Sequence, residues 1–267
     1  MKSIDLKELK LIQLDIVEAL HEFCTEHGIK YSLACGSLLG AIRHNGYIPW
    51  DDDIDIYMER EDYNKFITLF PHNYRGIYDF VCIETDNEWN LAIGKLYDTR
   101  TVLIEHFDDW LPIGINIDVF PVDSVPDNKK TWENYNKLRR FFLSLILYKY
   151  ITRKEKAFFR NFMRYIIKIP YLFFTRRMHS KFINWYAQLY NGRNHKGLFE
   201  NVQGILQKQP FDKEDFAETI LHKFEDREFC VMKGYDHCLK CGFGDYMKLP
   251  PIEKRISHHS FEAYWKD

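Results

Sequence analysis

The chain has 267 residues, 46% hydrophobic and 16% aromatic, with only 13 Gly and 9 Pro; this supports a sizeable core and excludes wholesale disorder and fibrous or linker-rich architectures. The net charge of −2 conceals an uneven spread. Arg139 to Lys181 holds twelve Lys and Arg against Glu155 alone, about +11, which leaves about −13 for the rest.

In chain order, Asp5 is a helix N-cap with Glu8 placed to close a capping box. Leu9, Ile12, Ile16, Leu20 and Phe23 recur at helical spacing up to Gly28. Tyr31 to Cys35 reads as a short buried strand, Gly36-Ser37 as a turn, and Leu38 to Arg43 as a short helix. Asn45-Gly46 and Pro49 are turn signals. Asp53 to Tyr57 alternates with the period of a strand, and a helix is expected from about Asp62 to Phe70. Further strands are expected at Tyr78 to Ile83, Leu91 to Leu96, Thr101 to Glu105 and Ile115 to Phe120. Near Pro126 the character changes: Thr131 to Tyr190 is helical, basic and aromatic, broken at Pro170. From Gly197 the pattern looks irregular until a short helix near Tyr235 to Lys240. The expected fold class is α+β, a mixed sheet with helices over 1–126, followed by a mostly helical, basic-aromatic appendage over 127–267.

The sharpest chemical feature is Pro49-Trp50-Asp51-Asp52-Asp53-Ile54-Asp55. Residues two apart on a strand share a face, so Asp53 and Asp55 project together while Ile54 and Ile56 face a core. Carboxylates that close repel one another unless a cation neutralises them, and a hard divalent ion such as Mg²⁺ or Mn²⁺ suits oxygen ligands. A solvated acidic turn is the alternative; interleaved isoleucines disfavour it. In Ile115 to Phe120, Asp118 is out of phase with Ile117 and Val119. On a neighbouring strand it could complete the cluster, and otherwise it is an ordinary edge-facing Asp. Gly36-Ser37, between a strand and a helix, offers a close backbone approach, helix-terminal N–H groups and a hydroxyl for phosphate oxygens.

The segment from Gly36 through Arg43-His44-Asn45-Gly46 to Trp50-Asp51-Asp52-Asp53-Ile54-Asp55 closely resembles the LicD family, which includes the fukutin-related proteins. So do Ile117-Asp118-Val119-Phe120-Pro121 and the ending Gly244-Asp245-Tyr246-Met247-Lys248-Leu249-Pro250-Pro251, followed by Glu253-Lys254-Arg255 and His258. The resemblance implies a nucleotidyltransferase-type fold. It implies transfer of a phospho-alcohol, typically phosphocholine, from a CDP-linked donor such as CDP-choline to a sugar of a cell-surface glycan such as lipopolysaccharide or teichoic acid. Carried over by motif, Asp53, Asp55 and Asp118 would be the metal-binding carboxylates, Gly36 and Ser37 would contact donor phosphate, and Asp51 and Asp52 would be wall residues. Two other functions stay open: attachment of a nucleotide to another acceptor, or non-enzymatic glycan binding at a membrane.

Arg43 and Lys95 are candidate cations for the donor phosphates, with solvent-facing charge as the alternative reading. Trp50, Trp89 and Trp110 are available for an aromatic cage around choline, although a core role is the default for each. Cys238-Leu239-Lys240-Cys241, with His237 and Cys230, could hold a structural Zn²⁺; a lone Cys-x-x-Cys is a weak signal. Six cysteines do not suggest a disulfide scaffold in a chain this long. The basic run Arg160 to Phe174 interleaves apolar residues as membrane-surface helices do, with a solvated bundle face as the alternative, and a lipid-linked acceptor would favour the former. No RNA- or DNA-reading motif accompanies that charge, so nucleic acid is not an expected partner. Met1-Lys2-Ser3 leads into an amphipathic helix rather than a secretory signal, so a cytoplasmic location is expected, with peripheral contact at the inner face of the membrane.

Overall fold

The computed structural model describes residues 2–105, 113–150, 175–203, 208–255 and 261–267. In chain order these form β1 (Lys2–Ile4), α1 (Leu6–His27), β2 (Ser32–Leu33), α2 (Cys35–His44), β3 (Asp55–Glu59), α3 (Arg60–Leu69), β4 (Tyr78–Val81), β5 (Gly94–Asp98), β6 (Thr101–Glu105) and β7 (Asn116–Val125). Then come α4 (Lys129–Tyr150), α5 (Arg176–Ala187), β8 (Gly197–Phe199), β9 (Phe211–Asp212), α6 (Lys213–Ala217), β10 (Thr219–Phe224), β11 (Arg227–Met232), α7 (Tyr235–Phe243) and β12 (Phe261–Trp265). Among the described residues no helix is long and apolar enough to cross a membrane. The basic run Arg160 to Phe174, Pro170, Glu155, Trp110 and His258 lie outside the described residues.

The mixed α+β architecture expected from the sequence is the one that forms. The main sheet runs β2-β3-β7-β5-β4, with β8 pairing the far end of β7 and β9 pairing β8. Within it β3 and β7 are parallel and the other pairs antiparallel. α1 buries Leu9, Ile12, Ile16, Leu20 and Phe23 and ends at Gly28, in the left-handed region at φ 59°. Its N-cap is Asp5, which accepts the Glu8 N–H at 2.8 Å. Glu8 does not complete the expected capping box: its carboxylate instead accepts the Trp265 indole N–H at 2.9 Å, tying β12 to the first helix.

Two departures from the sequence reading have clear causes. β7 continues past Phe120 through Pro121 to Val125. β5 pairs with residues 116–119 and β8 with 123–125, so Pro121 falls where that side of the ladder is interrupted and its missing N–H is tolerated. The stretch after Gly197 is not irregular: β10 and β11 form a six-rung antiparallel hairpin. Its turn is Glu225-Asp226, with Glu225 at φ 59°, a position usually marked by Gly or Asn. The tip is held from outside, since Glu225 N–H donates to Asn45 O at 2.7 Å and its carboxylate accepts the Tyr47 N–H at 2.9 Å. One buried cluster includes Ile16, Ile56 and Val119 together with Phe211, Phe229 and Leu239 from the second half.

Arg60 of α3 makes a bidentate ion pair to Asp123 of β7, both contacts at 2.8 Å, and Asn191 also donates to that carboxylate. Asp123 is fully buried, so removing it strands a guanidinium in the interior. Asp123→Ala is expected to cost about 3 kcal/mol or more of unfolding free energy in a urea titration; a loss below about 1 kcal/mol would show that water reaches Arg60.

Candidate active site

Strand register sets two of the three predicted carboxylates side by side. Asp55 on β3 lies directly opposite Asp118 on the parallel strand β7, and the Asp118 N–H donates to Ile54 O at 2.9 Å. Ile54, Ile56, Ile117 and Val119 are buried, as the alternation requires. On the other side of β7, Lys95 of β5 is opposite Asp118, with Nζ 2.6 Å from its Oδ1 and 2.9 Å from Asn116 Oδ1. Lys95 is 5% exposed, so it is no solvent-facing charge; it is a counter-ion built into the site.

Asp53 precedes β3, in a loop where Asp51, Asp52 and Asp53 each present an oxygen within 4.8 Å of the others. The loop is held from three sides. A Cβ on Gly36 would come 2.5 Å from Asp51 Oδ2, so a larger residue would push that carboxylate off the first turn of α2. α2 starts at Cys35 with no side-chain cap, and a carboxylate at its positive end is favourable. Ser37 Oγ accepts the Asp55 N–H at 3.0 Å and donates to Asp53 O at 3.5 Å, so the hydroxyl expected to meet donor phosphate positions two of the acids instead. From α1, the buried amide of Gln13 donates to Asp52 O and Asn116 O at 3.1 and 3.3 Å, and its Oε1 accepts from Tyr47 OH.

Gln13, Lys10 and Asn116 were not singled out in the sequence. The available signals were a polar residue inside an apolar helical stripe and an amide inside an aliphatic strand. Lys10 faces the acid loop: burial lowers its pKa, while Asp52, Asp51, Glu225 and Asp53 pull it back up.

The charge balance is unfavourable to the acids. Burial, then Asp53, Asp118 and Asp51, push the Asp55 carboxyl well above the usual carboxylate range, and Lys95 only partly offsets this. Hard carboxylate oxygens this close to one another are donors that suit a divalent cation of the Mg²⁺ class.

The C-terminal motif completes the wall. Arg43 donates to Tyr246 O at 2.5 Å and to His44 Nε2 at 3.0 Å. The Arg255 guanidinium stands 5.5 Å from the Trp50 ring centroid and donates to Pro250 O at 2.9 Å. Arg43 and Arg255 are close enough that Arg255, after burial, lowers the Arg43 pKa; burial and then Arg43 lower that of His44. Of the proposed cage aromatics, Trp50 borders this site, whereas Trp89 is buried with its indole N–H on Ile93 O and serves the core.

The suggested zinc ligands are dispersed among different neighbours. His237 contacts Asp215 at 2.6 Å, Cys230 lies by His21 and Tyr31, Cys238 lines a small void with Cys35 and Tyr57, and Cys241 donates to Pro210 O. Burial raises the pKa of all three thiols.

Fold and site together define an α+β protein with a cluster of carboxylates on and beside two parallel strands, and an Arg43–Arg255 wall next to Trp50. The family model for the LicD/FKTN/FKRP nucleotidyltransferase domain matches residues 28–147. The chain is 33% identical over 268 residues, 99% of both chains, to the lipopolysaccharide cholinephosphotransferase LicD of Haemophilus influenzae. Uncharacterized proteins of Rickettsia typhi and Rickettsia prowazekii are 46% and 50% identical over 65 residues, 24% of this chain and 20% and 24% of theirs. This chain belongs to the LicD family.

Because the folded-state pKa of Asp55 is raised, its own contribution to the stability of the metal-free protein is present below the ordinary carboxylate range and is lost as pH climbs through the raised value. In chelator at neutral pH, Asp55→Asn is therefore expected to raise Tm by about 2–5 °C and flatten its fall between acid and neutral pH. Scanning calorimetry of both proteins across that range tests this; an unchanged or lower Tm would mean that Asp55 is already neutralised.

Proposed function

We propose that this protein transfers phosphocholine from CDP-choline to a sugar hydroxyl of a lipopolysaccharide-type cell-surface glycan, in a reaction that depends on Mg²⁺ or Mn²⁺. The observation that carries this reading is the end-to-end similarity to a lipopolysaccharide cholinephosphotransferase, which covers the carboxylate strands and the C-terminal wall alike. The geometry is compatible with a nucleotidyltransferase-type active site.

The acceptor hydroxyl attacks the phosphorus that carries choline. The new sugar O–P bond forms as the P–O bond to CMP breaks, and the hydroxyl proton passes to a carboxylate. Asp53, Asp55 and Asp118, with Asp51 beside them, are the residues to hold the divalent ion. When bound, the ion would supply charge neutralisation at the phosphate oxygens. Lys95 fixes Asp118, and Gly36, Arg43 and Arg255 line the approach of the donor's diphosphate. Phosphoryl transfer asks the protein mainly for positioning and charge stabilisation, and the site is rich in both.

The test is incubation of purified protein with CDP-choline, Mg²⁺ and delipidated lipopolysaccharide oligosaccharide, read by mass spectrometry. A gain equal to one phosphocholine is expected, abolished by chelator. Asp53→Asn and Asp118→Asn should each lower kcat by about 10³-fold or more. Full activity in Asp53→Asn, or transfer of a nucleotide instead, would overturn the reading.

A further inference from the structure

A second concave site lies on α4, away from the carboxylates. A cleft of about 660 Å³ is walled on one side by a single face of α4, bearing Lys129, Trp132, Lys137 and Arg140, and on the other by Lys208 and Gln209. Its size is in the range of small-molecule sites. The α4 positions recur every three to four residues, so they form one stripe. The remaining face is engaged in packing: Tyr135 stacks on Tyr186 of α5 at 4.7 Å, and Arg139 is buried against Phe199 and Asn201.

The lining carries four cations against one acid, Glu133. Among the described residues none of the four forms an ion pair. The floor is Trp132, held against Phe199 at 4.8 Å. Asn136 Oδ1 accepts from Arg139 Nε at 3.0 Å, which leaves its NH₂ as a donor. Cations for phosphate, amides for hydroxyls and an indole for an apolar sugar face are a combination suited to a phosphorylated oligosaccharide. A flat anionic membrane would favour protruding apolar groups instead. Those on α4 and α5, Leu138, Phe141, Met178 and Trp185, lie outside the cleft.

The position suits an extended acceptor. Phe199, under Trp132, pairs with Asp123, five residues along β7 from Asp118, or about 16 Å of strand. We propose that the α4 cleft is an acceptor subsite that binds a phosphate-bearing stretch of the oligosaccharide remote from the hydroxyl that reacts. The acceptor identity rests on the proposed function; the anion-binding property rests on the cleft alone.

The experiment compares wild type with Lys137→Glu/Arg140→Glu and with Lys208→Glu. These side chains are exposed, and unchanged Tm values verify folding. With phosphorylated, delipidated oligosaccharide, the acceptor KM should rise about tenfold in each variant. The kcat and the KM for CDP-choline should stay unchanged, and the wild-type preference over enzymatically dephosphorylated oligosaccharide should vanish. An unchanged acceptor KM overturns the proposal. So does lost sedimentation with anionic phosphatidylglycerol vesicles at constant KM, which would make the cleft a membrane contact. If the wild type transfers nothing, the proposed function fails separately. Direct calorimetric titration with the two oligosaccharides then decides the cleft: phosphate-dependent binding weakened about tenfold by the substitutions sustains it, and its absence overturns it.

Discussion

Asp51, Asp52 and Asp53 of the loop lie near Asp55 and Asp118 of the paired strands, and among the described residues Lys95 and Lys10 are two cations that oppose them. Left to themselves these groups would separate or take up protons, and the raised pKa of Asp55 records that strain. The surrounding structure holds them in place. Ladder hydrogen bonds fix Asp55 opposite Asp118, Ser37 ties β3 to the loop before it, and Gln13 ties the same loop to the start of β7. Folding energy from the buried core thus holds the carboxylates preorganised at close range.

This constraint explains where the sequence was legible. Alternating Asp and Ile in a strand leaves little freedom for Asp55 and Asp118, whose aliphatic neighbours are buried; Asp53, expected on the same strand face as Asp55, lies in the loop before β3 instead. The helix α1, its Asp5 and Gly28 ends, and β6 were legible because local chemistry alone sets them. What escaped were choices made by tertiary contact. Pro121 argues locally for a strand end, yet lies within β7 because neither β5 nor β8 reaches it on that side. The Glu225-Asp226 turn has no glycine because its left-handed residue is fixed by bonds to Asn45 and Tyr47. Glu8 satisfies the rule for a capping box and is claimed by Trp265 instead. Lys95 could be read either way until strand order set it beside Asp118.

The second half of the chain contributes to the pocket rather than merely adjoining it. The β10–β11 hairpin places Glu225 against Gly46, where any Cβ would collide with its carboxylate, and Arg227 reaches back to Asp15 and Glu18 of α1. The segment after α7 supplies Tyr246, which receives Arg43, and Arg255, which covers Trp50. The turn that precedes the acidic loop is therefore clamped from the far end of the sequence. That is a physical reason for similarity to the Haemophilus influenzae protein to run from end to end, beyond the 28–147 span of the family domain.

The placement of positive charge divides the molecule's labour. Near the carboxylates, cations are few, buried or already engaged: Lys95 is paired and Arg43 is bonded to a backbone carbonyl. Such groups are positioned in advance and change little when a ligand arrives, which suits stabilisation of a transferring phosphoryl group. On α4 the cations are exposed and unpaired among the described residues, on flexible side chains around an open cleft. Their pull is long-ranged and salt-sensitive, so it suits capture and orientation of a large anionic acceptor more than chemistry. A chain with a net charge of only −2 can thus present an acidic cluster and a basic cleft without the two fields cancelling, because they lie toward different ends of β7.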